Sequence, residues 1–248
     1  MTNNKRRAKG KSTLIVIGTK NGHKVREILS IWRLHQKKKD LYLPLVHKSL
    51  RDRAGVIKFI PLDRLPQTSV VTENGWTYLA NAIRKAVVWA KETGHITLAE
   101  DSGLEVKALK DQPGIYSARY AFAEMRPPWR AGKKDINVEN NRKVIDKLDN
   151  AGSRKACYRC YAVLASSQGK IIYRAKGLCQ GRIALKPAGK NGFGYDPIFI
   201  PAEKNPKQQT FGQLSLKIKY QISHRAKAMH KIFAFLRRQV RLNGEAVN

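Results

Sequence analysis

The sequence predicts an α/β fold, and two adjoining patterns near its N-terminus carry most of that prediction. Residues 13–18, TLIVIG, are a short run of mainly β-branched apolar side chains, which is typical of a buried strand. A polar stretch follows, and then apolar side chains recur at the spacing of one helix face, at Val25, Ile28, Leu29 and Trp32. A strand, a loop and a helix in this order form half of an α/β unit.

The rest of the chain continues to alternate helices with strands. A helix is predicted over about 76–92, ending at Gly94, because glycine is common where helices end. The short strand HITLAED follows, and Asp135 is expected to cap a helix over 135–149. Two further strands, ACYRCYAVLA and KIIYRAKG, flank the turn SSQG, and a last amphipathic helix begins after Ser223 as its N-cap.

Length and composition indicate one large domain. We assign residues 13–242 to it, after a basic arm at 1–12, with a basic insertion around 33–58. No apolar run approaches the roughly 18 residues of a membrane span, and the basic N-terminus lacks the apolar core of a secretory signal. Three cysteines, an odd number, argue against a disulfide framework and favour a reducing cytoplasm.

The chain is strongly basic, with 49 Lys and Arg against 18 Asp and Glu, a net charge of +31. Such an excess is typical of a nucleic-acid-binding surface. It is equally compatible with a polyanionic substrate or with a bias shared by all proteins of the source. Charge alone therefore allows nucleic acid as a partner without requiring it.

In this basic chain, two carboxylates lie side by side in AEDSGL, residues 99–104. Glu100 and Asp101 follow a short apolar strand, and open α/β sheets bind their ligands at the carboxyl ends of strands. Paired carboxylate oxygens suit Mg²⁺, which binds through one or two carboxylates together with substrate phosphates. The alternative is that Asp101 only caps a turn through its own backbone.

Two other motifs offer groups for a phosphorylated ligand. TKNGHK joins a strand to a helix N-terminus, where backbone N–H groups and the helix dipole favour phosphate. Thr19 and Asn21 would be neutral donors there, and Lys24 would be a point charge. The alternative is that the segment is a polar turn without a ligand. Glu73 precedes the second helix and Lys85 lies within it. Taken alone, a glutamate at a helix start usually interacts with the helix dipole, and a lysine within a helix is usually solvated.

Two later motifs could contact a base. In NGFGYDP, glycines allow close backbone approach, with the aromatic side chains of Phe193 and Tyr195 beside Asp196. His224 and Arg225 are potential donors in the first turn of the last helix. A tight turn and a solvated helix start explain these two motifs equally well.

Taken in order, the motifs are more specific than any one of them. TKNGHK, ENGWTYLANAIRKA, EDSGL, PGIYSARY, GFGYDPIF and KYQISHR span residues 13 to about 236. In this set the sequence resembles the inosine triphosphate pyrophosphatase family, the house-cleaning XTP/dITP diphosphatases. The resemblance implies an elongated mixed sheet flanked by helices, with a cleft between two lobes, and a homodimer. It also implies Mg²⁺-dependent hydrolysis of a non-standard purine nucleoside triphosphate (ITP, dITP, XTP) to the monophosphate and pyrophosphate.

The resemblance assigns roles residue by residue. The triphosphate would be held by Thr19, Asn21, Lys24, Lys85 and Lys219, and the substrate would also touch Ser102. The metal would be held by Glu73 and Asp101, with Glu100 close by. Asp101 would also orient or deprotonate the attacking water. The base would be gripped by Phe193, Gly194, Tyr195, Asp196, His224 and Arg225.

Two positions depart from the family pattern. The family usually has two aspartates where this chain has Glu100 and Asp101, and a glutamate where it has Ala80. We therefore expect Asp101 to be the essential carboxylate and Glu100 to tolerate change. The alternatives are a nucleic-acid-binding protein that reuses the fold with weakened catalysis, or a pyrophosphatase with another base preference. Retention of Glu73 with Asp101 favours an enzyme, because a pure binding protein would not need that pair.

Overall fold

A six-stranded mixed sheet forms the centre of the protein. A computed structural model describes residues 12–40, 57–66, 68–122 and 133–245. The strands are β1 (Thr13–Gly18), β2 (Ile57–Pro61), β3 (Ile96–Val106), β4 (Lys155–Ala165), β5 (Ile171–Ile183) and β6 (Phe199–Pro201). Their order across the sheet is β2-β1-β3-β4-β5-β6. β1 is parallel to β2 and β3, whereas the pairs from β3 to β6 are antiparallel.

Helices cover both faces of this sheet. They are α1 (Gly22–Asp40), α2 (Tyr78–Thr93), α3 (Lys133–Asp146), α4 (Leu216–Ile222) and α5 (His224–Glu245). Helix α2 begins after Thr77, whose hydroxyl accepts from the N–H of Ala80, and ends at Gly94 with φ +67°. That left-handed conformation is the reason for glycine at the end of the helix.

The sheet pleat divides the buried side chains between the two faces. Leu98 of β3 packs in a cluster with α1 and α5, which supply Ile28 and Phe233. Its neighbour Ala99 packs on the opposite face against Ala82 and the other alanines of α2. Successive residues of a strand point to opposite faces, so this alternation continues into the acidic residues that follow.

A separate apolar cluster fills the other end of strands β3 to β5. It contains Leu104 together with Tyr158, Phe199 and Phe211, and the rings of these three aromatic residues contact one another. The segment from Glu100 to Ser102 lies between this cluster and the α1–α5 cluster. The two clusters correspond to the two lobes that the family resemblance implies, and the α/β class and mixed sheet are confirmed.

Two sequence-based predictions need correction. β3 runs on to Val106, so Glu100 and Asp101 lie inside a strand and not at its end. At these two residues the β1 side of β3 has no strand partner, because β1 pairs with β3 only as far as Ala99. The proposed insertion at 33–58 stays a prediction: its described parts are the end of α1 and the start of β2, and its middle lies outside the described residues.

The second correction concerns α3. This helix begins at Lys133, so Asp135 lies inside it and is not its N-cap. Ser223, by contrast, is confirmed as a cap, because its hydroxyl accepts from the N–H of Ala226. Most of the basic arm at 1–12 lies outside the described residues. Among the helices described, none is long and apolar enough to span a membrane.

Candidate active site

Glu100 and Asp101 are neighbours in sequence but have different partners. Both side chains are buried, with 1% and 5% of their surface exposed. Asp101 faces α2, where it contacts Lys85, whereas Glu100 faces α1 and α5, where it contacts Lys24 and Arg225. The pleat of β3 therefore separates the two acids into two polar clusters.

The Asp101 cluster joins β3 to α2 and to the segment before it. Lys85 Nζ donates to Asp101 Oδ1 at 3.1 Å and to Glu73 Oε1 at 2.9 Å. Asn81 donates from Nδ2 to Asp101 Oδ2 at 3.2 Å and accepts the N–H of Gly75 at 2.8 Å. Asn81 and Lys85 are four residues apart, so they lie on one face of α2. Two carboxylates thus share one ammonium group, and Glu73 keeps 39% of its side chain exposed.

The pKa values of the two carboxyls in this cluster move in opposite directions. Burial raises the pKa of Asp101, and the acids Glu73 and Glu100 add to that effect beyond what Lys85 can offset. Burial acts on Glu73 in the same sense, but Lys85 and Lys24 outweigh it, so the pKa of Glu73 is lowered. Neighbouring carboxyls with separated pKa values are characteristic of sites that use one as an acid or base.

The Glu100 cluster is a buried ion-pair network. Glu100 accepts from Lys24 Nζ at 2.9 Å, from Arg225 Nε at 3.3 Å and from the thiol of Cys160 at 3.4 Å. Burial alone would raise the pKa of Glu100, but Arg225 and then Lys24 hold it well below its ordinary value. Arg225 also donates to Ser102 Oγ at 2.8 Å and to Glu27.

The same network continues towards the NGFGYDP loop. Lys219 Nζ lies 2.8 Å from Glu27 Oε1 and 2.6 Å from Asp196 Oδ2, and all three side chains are buried. Burial raises the pKa of Glu27, yet Arg225 and Lys219 reverse that and lower it to about 2. For Asp196, burial outweighs the effect of Lys219 and the pKa is raised.

Phe193 is held in place by this network. Its N–H donates to Asp196 Oδ2 at 2.6 Å. Lys219 Nζ lies 5.0 Å from the centre of its ring, and the ring of His23 stacks on it at 5.1 Å. The preceding residue, Gly192, has φ +78°, and a Cβ there would collide with the Asp196 carboxylate. Glycine is therefore required for the loop to close on Asp196.

His224 lies beside the network at the start of α5. Its ring stacks on Tyr158 with centres 4.3 Å apart and planes 9° apart. Burial and then Arg225 lower the pKa of His224 well below its usual value, so the imidazole is neutral. Among the described residues its Nδ1 has no hydrogen-bond partner, which leaves a buried polar atom available to a ligand.

The structure brings most of the predicted residues together, in arrangements that the sequence does not reveal. Asn21 caps α1, because its Oδ1 accepts the N–H of His23 at 3.0 Å, and Thr19 Oγ1 accepts the N–H of Asn21. Gly194, with φ +64°, accepts through its carbonyl from Asn141. Tyr195 lies apart from the others: its ring is in the second apolar cluster and its hydroxyl donates to the carbonyl of Ser117 at 2.8 Å.

Sequence reasoning did not select Glu27, Asn81 or His23. Two of them carried a signal: Asn81 precedes Lys85 by one helical turn, and Glu27 follows Lys24 by three residues. The pairing of Glu27 with Arg225, 198 residues away, had no signal in the sequence. The stacking of His23 on Phe193 had no signal either.

The fold and site together define an α/β protein with a carboxylate–lysine cluster beside a loop rich in glycine and aromatic side chains. The model of the Ham1 family matches residues 15–235. This chain therefore belongs to the Ham1 family.

Curated relatives and solved structures agree with that assignment. The chain is 39% identical over 181 residues to a protein from Desulforamulus reducens named dITP/XTP pyrophosphatase, covering 72% of this chain and 83% of the relative. A protein of the same name from Bacillus licheniformis is 36% identical over 224 residues, covering 90% and 97%. The structure of the Staphylococcus aureus Ham1 protein superposes with a TM-score of 0.68 at 33% identity, covering 92% of this chain and all of that one.

Proposed function

We propose that this protein hydrolyses non-standard purine nucleoside triphosphates (ITP, dITP and XTP) to the monophosphate and pyrophosphate. The observation that carries the proposal is the convergence of Glu73 and Asp101 on Lys85, within a chain of the Ham1 family. The name of these relatives, dITP/XTP pyrophosphatase, supports the same reaction and substrate class. The reaction removes deaminated purines from the nucleotide pool.

In this reaction Asp101 is the residue that acts on water. Its carboxylate is fixed by Lys85 on one oxygen and by Asn81 on the other, so its direction is set before substrate binds. A carboxylate held in this way can orient a water molecule and take its proton at Oδ1 or Oδ2 as the water attacks the α-phosphorus. Lys85 then offers positive charge beside the reacting phosphate, where negative charge increases.

The donor set also fits Mg²⁺, which we propose as the cofactor. Glu73 and Asp101 are two hard oxygen ligands that share a single positive partner, which leaves one negative charge uncompensated. When bound, the metal would neutralise phosphate charge and polarise the phosphoryl oxygen. The structure does not bring Glu100 into contact with this pair. Among the described residues, no group of three or more His, Cys, Asp or Glu side chains is placed to hold a metal ion.

Side chains beside the Glu100 network are proposed to bind the base, and the network itself is proposed to support the TKNGHK segment, which would hold the phosphates. Phe193 supplies an aromatic ring on which His23 stacks, so a base would have to take the place of His23 or contact the ring edge, and His224 presents a neutral imidazole with one unpartnered nitrogen. Arg225 is already bonded to Glu100, Glu27 and Ser102, so its contribution to the base is to fix the neighbouring groups.

The products of ITP hydrolysis test the proposed function. With Mg²⁺ in water enriched in ¹⁸O, the reaction should release IMP and pyrophosphate, with the label in IMP. Orthophosphate and IDP as the first products would contradict the proposal, because they indicate attack at the γ-phosphorus. The Asp101→Asn variant, purified in parallel, shows whether any activity comes from a contaminating phosphatase.

We further propose a cytoplasmic homodimer, on the resemblance to the family. Two large apolar side chains in the segment that carries Glu73 are strongly exposed: Val70 at 83% and Trp76 at 90%. Contact with a second copy would remove this apolar surface from water. Light scattering of the purified protein measures the oligomeric state directly, and a monomer at micromolar concentration would contradict the proposal.

A further inference from the structure

A second polar surface lies along strand β5 and helix α5, which we call the β5–α5 edge (residues 170–178 and 227–238). β6 pairs only with Gly181–Ile183, so in the described part of the chain residues 171–180 have no neighbouring strand on the side away from β4. α5 packs beside this open stretch in the opposite direction. A Cβ at Gly177 would touch the backbone of Ala228, and Tyr173 stacks on Phe235 at 4.4 Å.

Two rows of cationic side chains follow the β5–α5 edge. The row on and next to the strand is Lys170, Arg174 and Lys176, and the row on the helix is Lys227, Lys231 and Arg238. The helical residues are spaced i, i+4 and i+11, so they share one stripe. The two rows meet where Lys231 Nζ donates to the carbonyl of Lys176 at 2.8 Å.

A recess of about 550 Å³ opens between the two rows. Its lining is Lys176, Gly177, Leu178, Lys227, His230 and Lys231. Lys227 and Lys231 reach it from the helix, whereas Lys176 Nζ lies 5.7 Å from the centre of the Tyr161 ring on the other face of the sheet, so cations flank the open edge on both faces. The recess is large enough for a phosphate with its sugar, within the usual range for small-ligand sites of ~300–1,000 Å³.

Acidic side chains are almost absent from the chain segments that build this edge. No Asp or Glu occurs between Asp149 and Asp196, or between Glu203 and Glu245. Glu203 itself pairs with Lys227 at 2.6 Å. Apart from Lys227, the cations of the edge therefore have no acidic residue in the same chain segments to offset their charge.

We propose that the β5–α5 edge binds the sugar–phosphate backbone of single-stranded nucleic acid. Cations at i and i+4 of a helix are about 6 Å apart along the axis, and those at i and i+2 of a strand about 7 Å apart, which is close to the spacing of neighbouring phosphates. A groove with cations on both sides follows one strand. A membrane surface fits less well, because Ile172 is the one large apolar side chain strongly exposed on the described part of this edge.

Binding of a labelled oligouridylate of about 16 nucleotides, followed by fluorescence anisotropy over a range of salt concentrations, tests this proposal. The test variant is Lys176→Gln/Lys227→Gln/Lys231→Gln. The matched control is Lys58→Gln/Lys107→Gln/Lys110→Gln, which removes the same charge from exposed lysines on β2 and beyond the end of β3. None of the six lysines contacts the candidate active site, so ITP hydrolysis is expected to stay unchanged in both variants.

The wild-type protein should bind the oligonucleotide with an affinity that falls steeply with salt. The test variant should bind at least about tenfold more weakly near 100 mM salt, with a salt slope lower by about two to three. The control should change affinity by less than about threefold.

Three outcomes would overturn the proposal. Equal weakening in the two variants would show that net charge, and not this edge, attracts the oligonucleotide. Absence of binding by the wild-type protein would exclude the partner. Binding to vesicles containing phosphatidylserine, without binding to the oligonucleotide, would assign the edge to a membrane surface instead.

Discussion

The Asp101 cluster and the Glu100 network occupy opposite faces of the same strand, and they differ in charge balance. In the network, the three carboxylates Glu27, Glu100 and Asp196 are paired with three cations, Lys24, Lys219 and Arg225. In the Asp101 cluster, two carboxylates share Lys85 alone.

This difference in charge balance suggests different roles for the two clusters, the network in the stability of the fold and the Asp101 cluster in the reaction. A buried and fully paired network is costly to break, because removing one member leaves its partner charged and unpaired. A cluster with an unpaired charge is stable only if something else completes it, and perturbed carboxyls of this kind concentrate at functional sites. Changes in the Glu100 network should therefore act mainly on folding, and changes in the Asp101 cluster mainly on rate.

Removal of Lys219 should have the largest effect on stability. Lys219→Met leaves Glu27 and Asp196 buried without that cation, and loss of one partner from a buried pair costs about 3–5 kcal/mol. Lys217→Met is the matched control, because Lys217 is exposed two residues earlier in α4 and should change stability by less than about 0.5 kcal/mol. Urea unfolding measures both variants, and similar losses would contradict the account.

The pH dependence of stability should identify Glu27 as a member of the network. Its pKa in the folded protein, about 2, lies below the ordinary value of 4.5, so its ionised form stabilises the fold above the ordinary value. That contribution is lost as pH falls from about 4.5 to about 2, and amounts to at most about 3 kcal/mol. The difference in unfolding free energy between wild type and Glu27→Gln should therefore shrink over this range. A difference that does not change with pH would show that Glu27 stabilises the protein without its charge.

Selectivity for the base should depend on His224. Hypoxanthine presents a 6-oxo acceptor, whereas adenine presents a donor, and each unpaired buried group costs about 1–3 kcal/mol. We expect ITP to be preferred over ATP by about 10² or more in kcat/KM. His224→Phe keeps the stacking on Tyr158 but removes the ring nitrogens, and should lower this preference about tenfold. Equal turnover of ATP and ITP by the wild-type enzyme would refute the assignment of base recognition.

The sequence predicted the elements that depend on local patterns. Helix α2 and its end at Gly94 follow from apolar periodicity and from a left-handed glycine. The full length of β3 could not be predicted, because Ser102-Gly103 resembles a turn and its pairing with Cys160 and Arg159 of β4 is not local. In the site, strand alternation alone places Glu100 and Asp101 on opposite faces. The partners Lys24 and Arg225 meet only in the folded chain.

Shortening Glu100 should have the smallest effect. Glu100→Asp keeps the charge beside Lys24 and Arg225 and leaves Asp101 with its own partners. Because the carboxylate only moves within the network, kcat for ITP should change by less than about tenfold, or ~1.4 kcal/mol. A larger loss of kcat in a stably folded variant would place Glu100 in the reacting cluster.

Replacement of Asp101 by Asn tests the separation of the two faces most directly. The change keeps the shape but supplies one acceptor oxygen in place of two, so only one of the donors Lys85 Nζ and Asn81 Nδ2 keeps its acceptor. Lys85 remains paired with Glu73, and the loss of stability should stay within about 1–3 kcal/mol. The measurement is kcat for ITP at saturating Mg²⁺, with thermal melting as the check on folding. We expect kcat to fall by about 10²–10⁴, the usual effect of losing a general base. A folded Asp101→Asn enzyme with a kcat close to that of wild type would show that the chemistry does not occur on this face of β3.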